Sequence, residues 1–219
     1  MNTKKLIEIH NKKIAGKWHP THRKGNTGIG KTYEDLVGIK ENNSKDSDLS
    51  DAEIKCKRIK SKASTTLFTK NPNSYGMDLA EAIKKYGDWD PTKKRWGLYS
   101  LKNFTKEITD DKILLKNGDK VIFSWNKKTL EGIEKIDNLV YVTADTKKIN
   151  GVEYFWYHDP IVIKDAFRGK IKDFIESGVI YFEPRVWYGP DIKPAPRDRG
   201  WAWRIRPSKL SEIIKNKGG

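Results

Sequence analysis

The eight residues GNTGIGKT, Gly25 to Thr32, satisfy every required position of the phosphate-binding loop G-x-x-x-x-G-K-[ST]. Such a loop leaves a chain little choice of fold. A buried parallel strand must lead into it, and the helix that follows must aim its N-terminus at the phosphates. Here the residues leading in are WHPTHRK, Trp18 to Lys24, with a proline, two histidines and two cations. That composition cannot form a buried parallel strand. LVYVTAD, Leu139 to Asp145, has the form of the Asp-ended strand that holds magnesium in nucleotide hydrolases. Apolar strands ending in Asp are, however, common in α/β proteins. The pattern is present and its setting is absent. A nucleotide hydrolase remains only a distant reading, one that predicts nucleotide binding lost in Lys31→Ala.

Charge points to a different phosphate chemistry. The 219 residues carry 44 Lys plus Arg against 29 Asp plus Glu, a formal charge of +15. An excess of that size favours a polyanionic partner. Arginines gather at Arg197, Arg199, Arg204 and Arg206, where an AT-rich codon bias would supply lysine, so nucleic acid is the expected partner. A single cysteine, Cys56, rules out an internal disulfide framework and a cysteine-based zinc site. The N-terminus lacks an apolar signal region, and no run approaches the length of a membrane span. A soluble, intracellular protein is expected.

Periodicity predicts a helix over residues 4–15, a basic, glycine-rich loop over Lys17 to Gly30, and a helix over Thr32 to Val37. Thr32 is its expected N-cap, with Glu34 and Asp35 in the first turn. Glu41 to Asp48 is turn chemistry. Ala52 to Ile59 alternates strictly and reads as a strand, with Ser64 to Thr69 as its natural neighbour. A short helix is expected at Asp78 to Tyr86, a hairpin turn at Lys116 to Asp119, and strands at Leu139 to Asp145 and Val152 to Tyr157. Next come a helix over Ile161 to Ser177, strands at Val179 to Trp187 and Trp201 to Arg206, and a closing helix over Ser208 to Lys215. There is no repeat and no long linker, so the fold class is α/β (α+β) around a mixed sheet.

Within that plan, DLSDAEIK, Asp48 to Lys55, places an acid at a strand entry and Glu53 and Lys55 two residues apart on the strand. Period-2 geometry puts both on one face, with Cα atoms roughly 6.6 Å apart. An acid followed by Glu-x-Lys is the arrangement of PD-(D/E)xK nucleases. Two carboxylates hold Mg²⁺ and the lysine stabilises the attacking hydroxide. The triplet alone is weak, because Asp110/Lys112, Asp145/Lys147 and Asp191/Lys193 also fit [DE]-x-K. A solvated amphipathic strand explains Glu53 and Lys55 almost as well.

The ordered series from Lys17 to Leu36 closely resembles the N-terminal signature of the MvaI/BcnI restriction endonucleases. GIKENN (Gly38 to Asn43), AEIK and TTLFTKNP (Thr65 to Pro72) continue that resemblance in register, over about a quarter of the chain. EPRVWYG (Glu183 to Gly189) and PRDRGWAWRI (Pro196 to Ile205) more loosely resemble the family's recognition region. The resemblance implies a MutH-like PD-(D/E)xK fold, with two lobes of approximately 1–165 (mainly catalytic) and 166–219 (mainly recognition) and DNA in a cleft. It also implies Mg²⁺-dependent hydrolysis leaving a 5′-phosphate, and a monomer. The family's catalytic acids and lysine fall on Asp48, Glu53 and Lys55, and its helix-borne glutamate on Glu34, which also fits an ordinary helix acid.

Arg185, Arg197, Asp198, Arg199 and Arg204 occupy positions resembling the family's recognition residues. Arginine reads guanine bidentately and Asp accepts from the cytosine amino group, although arginines also serve as phosphate contacts. The family commonly carries His-Asp-His-Gly or His-Asp-Arg-Gly, where this chain has Arg197-Asp198-Arg199-Gly200. The implied target is a short, G·C-flanked site related to CCNGG. Lys24, Lys31, Lys62 and Lys70 are candidate phosphate contacts. His19 and His22 read as loop residues, and Trp201 and Trp203 as core. A host methyltransferase is the expected genetic partner of such a cutter. Competing readings are a MutH-like repair nickase, whose acid-to-Glu spacing is longer than Asp48 to Glu53, and a non-catalytic basic DNA-binding protein.

Overall fold

The apolar run Leu139–Ala144 forms the buried stretch of a twelve-residue strand, Asn138–Ile149, around which one mixed sheet is built. In this computed structural model, residues 1–39, 48–135, 138–189 and 196–215 are described. Most of the predicted turn at Glu41 to Asp48, and the Asp191/Lys193 triplet, lie outside them. On one side of the long strand runs Ala52–Arg58, parallel to it, with Asn138 opposite Ala52 and Ala144 opposite Arg58. Ile161–Lys164 pairs antiparallel along the first residues, and Val152–Tyr157 antiparallel along the last. The hairpin to Val152 turns on Asn150 and Gly151, both with positive φ, as a tight two-residue turn requires. Trp18–Pro20 adds an antiparallel edge strand beside Tyr154–Trp156.

The helix Gly28–Val37 covers this sheet. Its Ile29, Tyr33 and Val37 bury against Ile54, Val140, Val142 and Tyr157, together with Leu6 and Ile14 from the N-terminal helical segment. Burying each such side chain contributes about 1.5–3 kcal/mol. The Tyr157 hydroxyl also donates to the Ile29 carbonyl at 2.7 Å, which ties the helix's first turn to the sheet. Gly38, at φ 85°, ends the helix, with its amide and that of Ile39 closing onto the Asp35 and Glu34 carbonyls.

This helix begins four residues earlier than the sequence suggested, so Glu34 and Asp35 lie beyond its first turn. The physical reason lies in Gly28. A Cβ there would overlap the Arg23 carbonyl oxygen and stand 2.7 Å from Thr21 Oγ1. Glycine therefore lets the preceding loop fold back onto the helix, where it had been read as loop composition. Arg58 fixes that loop from the sheet side. It donates to the Gly25 and Asn26 carbonyls, both at 3.1 Å, and pairs with Glu153 through two bonds of 2.8 and 2.7 Å.

A second compact unit comprises residues 66–133 and 169–206, while residues 1–65, 134–168 and 207–219 form the first. Both units are thus discontinuous in sequence, whereas the lobes expected from the sequence were contiguous at 1–165 and 166–219. Three sheets make up the second unit. Its core is aromatic. Trp125, Trp201 and Trp203 are fully buried, and Trp125 stacks on Phe182 at 4.9 Å. The Trp125 and Trp203 indole N–H groups both donate to the Lys70 carbonyl, at 2.9 and 3.2 Å. That core captures the strand Thr65–Thr69, through buried Leu67 and the Phe68–Trp203 ring contact. The strand therefore lies beside Ala202–Ile205 instead of pairing with Ala52–Arg58.

The predicted helix over Ile161 to Ser177 is mostly something else. Ile161–Lys164 is a strand, and only Ile171–Glu176 is helical. Asp165 and Gly169, both at positive φ, punctuate the segment between them. Val179 to Trp187 likewise divides into Ile180–Glu183 and Val186–Tyr188, interrupted at Pro184. Among the described residues, no helix is long and apolar enough to cross a membrane.

Two glycines of one motif should behave oppositely. Gly28→Ala is expected to destabilise the protein by about 1–3 kcal/mol through overpacking. At Gly30 the nearest atom to an added Cβ is Glu34 Oε1, at an ordinary 3.6 Å. Gly30→Ala should therefore stabilise by roughly 0.5–1 kcal/mol. Denaturant midpoints of the two variants measure this difference.

Candidate active site and DNA-contacting residues

Asp48 sits just ahead of the strand Ala52–Arg58, and its Oδ2 accepts the Ile54 amide at 2.9 Å. That bond fixes the carboxylate at the strand entry. Glu53 and Lys55 project from the strand as half-buried neighbours, and Lys55 Nζ donates to Glu53 Oε1. Ile54 and Cys56 point the other way, into the core under the helix Gly28–Val37. Burial pushes the Cys56 thiol well above its ordinary range. The negative charges of Glu34 and Asp48 raise it further, and Lys55 opposes them. The four sequence-predicted residues Glu34, Asp48, Glu53 and Lys55 are gathered about this strand and the helix above it.

This donor set is suited to a hard cation. Asp48 Oδ1 and Glu53 Oε2 have no partner among the described residues, and both are carboxylate oxygens. Among the described residues, no group of three or more His, Cys, Asp and Glu side chains forms a cage. Mg²⁺ needs none, because it is held by one or two carboxylates, water and substrate phosphates. The chemistry of the two carboxylates fits that ion.

The residues of the phosphate-loop pattern are engaged with one another. Lys31 Nζ pairs with Asp35 at 2.7 Å, His22 Nδ1 meets the other Asp35 oxygen at 3.0 Å, and buried Thr32 accepts the His22 amide through its hydroxyl at 2.9 Å. Asp35 is held below the usual carboxylate range, first by Lys31 and then by His22. The lysine and hydroxyl that a nucleotide would require thus brace a helix and its entry loop. His19 bonds the Ile14 carbonyl at 3.0 Å, so His19 and His22 have separate structural partners. Lys24 and Lys62 are exposed in loops of this first unit.

The residues that resemble the family's recognition region lie in the second unit. Arg185 donates to the carbonyls of Gly200 (3.1 Å) and Arg199 (2.9 Å) and to the Thr69 hydroxyl (3.0 Å). Its guanidinium is therefore the clamp of the Arg197–Gly200 turn. Burial lowers its pKa from the ordinary arginine value. Asp198 accepts from the Gly200 amide at 2.5 Å and from Asn71 Nδ2 at 3.1 Å, while Asn71 Oδ1 takes the Trp201 amide. Gly200 has φ 84°, and a Cβ on it would overlap Thr69 Cγ2, so this turn requires glycine. Arg204 pairs with Glu183 on the neighbouring strand at 2.5 Å. Arg197 and Arg199 are exposed, while Lys70 is half-buried and supplies the carbonyl that holds two tryptophans. The sequence reading missed Asn71, Glu183 and Arg58. Their roles come from long-range partners that no local pattern encodes.

Two substitutions test these contacts. Glu153 is held below the usual carboxylate range, chiefly by Arg58. A depressed acid stabilises the fold above its unfolded pKa, roughly 4.3, and loses that contribution as pH falls through its folded value. Glu153→Gln should therefore cost about 2 kcal/mol near neutral pH, and melting curves of variant and parent should converge as pH drops below about 4. Arg185→Lys, which cannot reproduce three forked donors, should destabilise by about 2 kcal/mol. It should also increase proteolysis near residues 197–200.

The MvaI/BcnI restriction endonuclease family model matches residues 3–108 and 92–214. Among solved structures, the chain is similar to restriction endonuclease MvaI in complex with its cognate DNA substrate. That likeness has 27% identity and a TM-score of 0.75, over 97% of each chain. MvaI in the absence of DNA is 26% identical with a TM-score of 0.54, over 97% of this chain and 96% of that one. No curated protein matches. With the family pattern spanning nearly the whole chain on a mixed α+β nuclease fold, this protein belongs to the MvaI/BcnI restriction endonuclease family and is a site-specific DNA endonuclease.

Proposed function

We propose that the protein is a Mg²⁺-dependent type II restriction endonuclease, cutting double-stranded DNA at a short, G·C-flanked site related to CCNGG. The observation that carries this reading is the acid and Glu-x-Lys set at the head of Ala52–Arg58, with Asp48 braced on the Ile54 amide and Glu53 bonded to Lys55. In this reading Asp48 and Glu53 hold the ion. Bound Mg²⁺ supplies Lewis-acid polarisation of a phosphoryl oxygen. Lys55 stabilises the attacking hydroxide, and its bond to Glu53 keeps the ammonium at the reacting phosphate. Glu34 adds negative charge beside the two ligands.

For recognition, Arg197, Asp198 and Arg199 contact DNA directly, since all three are exposed on one turn. Arg185 and Arg204 act on that surface from the positions fixed by Gly200 and Glu183. Lys24, Lys31, Lys62 and Lys70 contribute positive charge along the backbone. The enzyme works as a monomer, protected in its host by a cognate methyltransferase.

Incubation with phage DNA and Mg²⁺ tests the reading. Discrete fragments abolished by EDTA are expected, and sequencing their ends gives the site. Asp48→Asn, Glu53→Gln and Lys55→Met should each slow cleavage about 10³-fold with melting temperature retained, since metal-assisted stabilisation amounts to several kcal/mol. Intact DNA that the protein nevertheless binds would leave a non-catalytic binder. Nicked circles as the final product would point to a MutH-like nickase.

A further inference from the structure

Three guanidinium groups surround one indole in the second unit. Arg95 Cζ lies 4.4 Å from the Trp187 ring centroid, Arg199 Cζ 5.2 Å and Arg197 Cζ 6.0 Å. Sheet register explains the gathering. Trp187 is flanked by Arg197 on one strand and Gly97 on the other, and Arg95 shares the face of Gly97 two residues away. The indole itself is only 7% exposed.

Among the described residues, none of the three arginines has a carboxylate partner. Nearby acids are committed elsewhere. Asp90, opposite Arg95 in register, binds Lys93 Nζ at 3.1 Å and the Thr92 and Lys93 amides. Asp198 is held by Gly200 and Asn71. An indole face attracts each cation, but three like charges on one ring still repel. An external anion is what completes this cluster.

The donors of Arg95 are open to such an anion. Nη2 donates one N–H to the Tyr99 hydroxyl at 3.2 Å, and Nε is buried without a partner. The second N–H of Nη2 and both of Nη1 are left to donate. Half to two-thirds of protein–DNA hydrogen bonds go to phosphate and sugar, which makes a phosphate oxygen the first acceptor for these donors. We propose that Arg95 is a third DNA-contacting arginine of this face and binds a backbone phosphate beside Arg197 and Arg199. This rests on the reading of those two arginines as DNA contacts.

Binding of a 20-base-pair duplex of arbitrary sequence, titrated with salt in EDTA, tests the assignment. Each phosphate contact contributes about 0.9 to the slope of log K against log[salt]. Arg95→Gln should reduce the slope by that amount, Arg95→Lys should restore it, and phage DNA fragments should keep their sizes. Should Arg95→Gln fail to fold, Arg95→Met keeps the stem on the indole and serves the same comparison. An unchanged slope in a folded variant overturns the proposal. New fragment sizes overturn it too, because they would make Arg95 a base reader. The double variant Arg197→Gln/Arg199→Gln separates the premises. If it binds like the parent, the reading of the turn fails; if it weakens binding and Arg95→Gln does not, only the role of Arg95 fails.

Discussion

The parallel pairing of Ala52–Arg58 with Asn138–Ala144 is the constraint on which the rest depends. Parallel neighbours cannot be joined by a tight turn and need a crossover. Here residues 59 to 137 make that connection, and most of them build the second unit. The catalytic candidates gain by this arrangement. Asp48 and Glu53 stand at the entry of a strand locked on one edge to a buried partner and capped by a helix. Glu53 is thus fixed by backbone hydrogen bonds and core packing, and Asp48, just ahead of the strand, by its bond to the Ile54 amide. Sites built on such elements hold their positions more precisely than sites on loops.

Where a residue's environment is set by its immediate neighbours, the sequence was legible. Alternation in AEIKCKR, the apolar run LVYVTA and the hairpin turn within Lys116 to Asp119 each appear where the pattern puts them. Asp78 caps the helix Leu79–Tyr86 through the Glu81 amide, as a first-turn signal predicts. What failed depended on distant partners. Gly28 reads as loop because its need for close approach to Arg23 cannot be seen locally. Thr65–Thr69 reads as the partner of its sequence neighbour, although Trp203, more than a hundred residues away, helps to hold it elsewhere. Ile161–Lys164 shows the limit of periodicity, since a short apolar run fits helix and strand alike.

For the candidate site, the residue types and spacing of Asp48, Glu53 and Lys55 were readable, and so was their common strand. The division of labour among the cations was not. Lys31, Arg58, Arg185 and Arg204 have carboxylate or carbonyl partners within the fold, whereas Arg95, Arg197 and Arg199 share an aromatic ring with no carboxylate partner among the described residues. Net charge therefore overstates the surface open to a polyanion. Only the three-dimensional pairing separates cations that brace the fold from cations that await a partner.

The turn Arg197–Gly200 is tied at several points to Thr69, Asn71 and Arg185, which stand far from it in sequence. Exchanging the side chains of this turn would consequently not be a local edit. Residues sharing one hydrogen-bond network show strongly non-additive effects, so an exchange of Asp198, whose carboxylate holds the Gly200 amide and Asn71, would disturb the whole turn. Divergence among relatives at this turn should accordingly be accompanied by changes at positions 69, 71 and 185, and libraries for altered specificity need to vary these positions together.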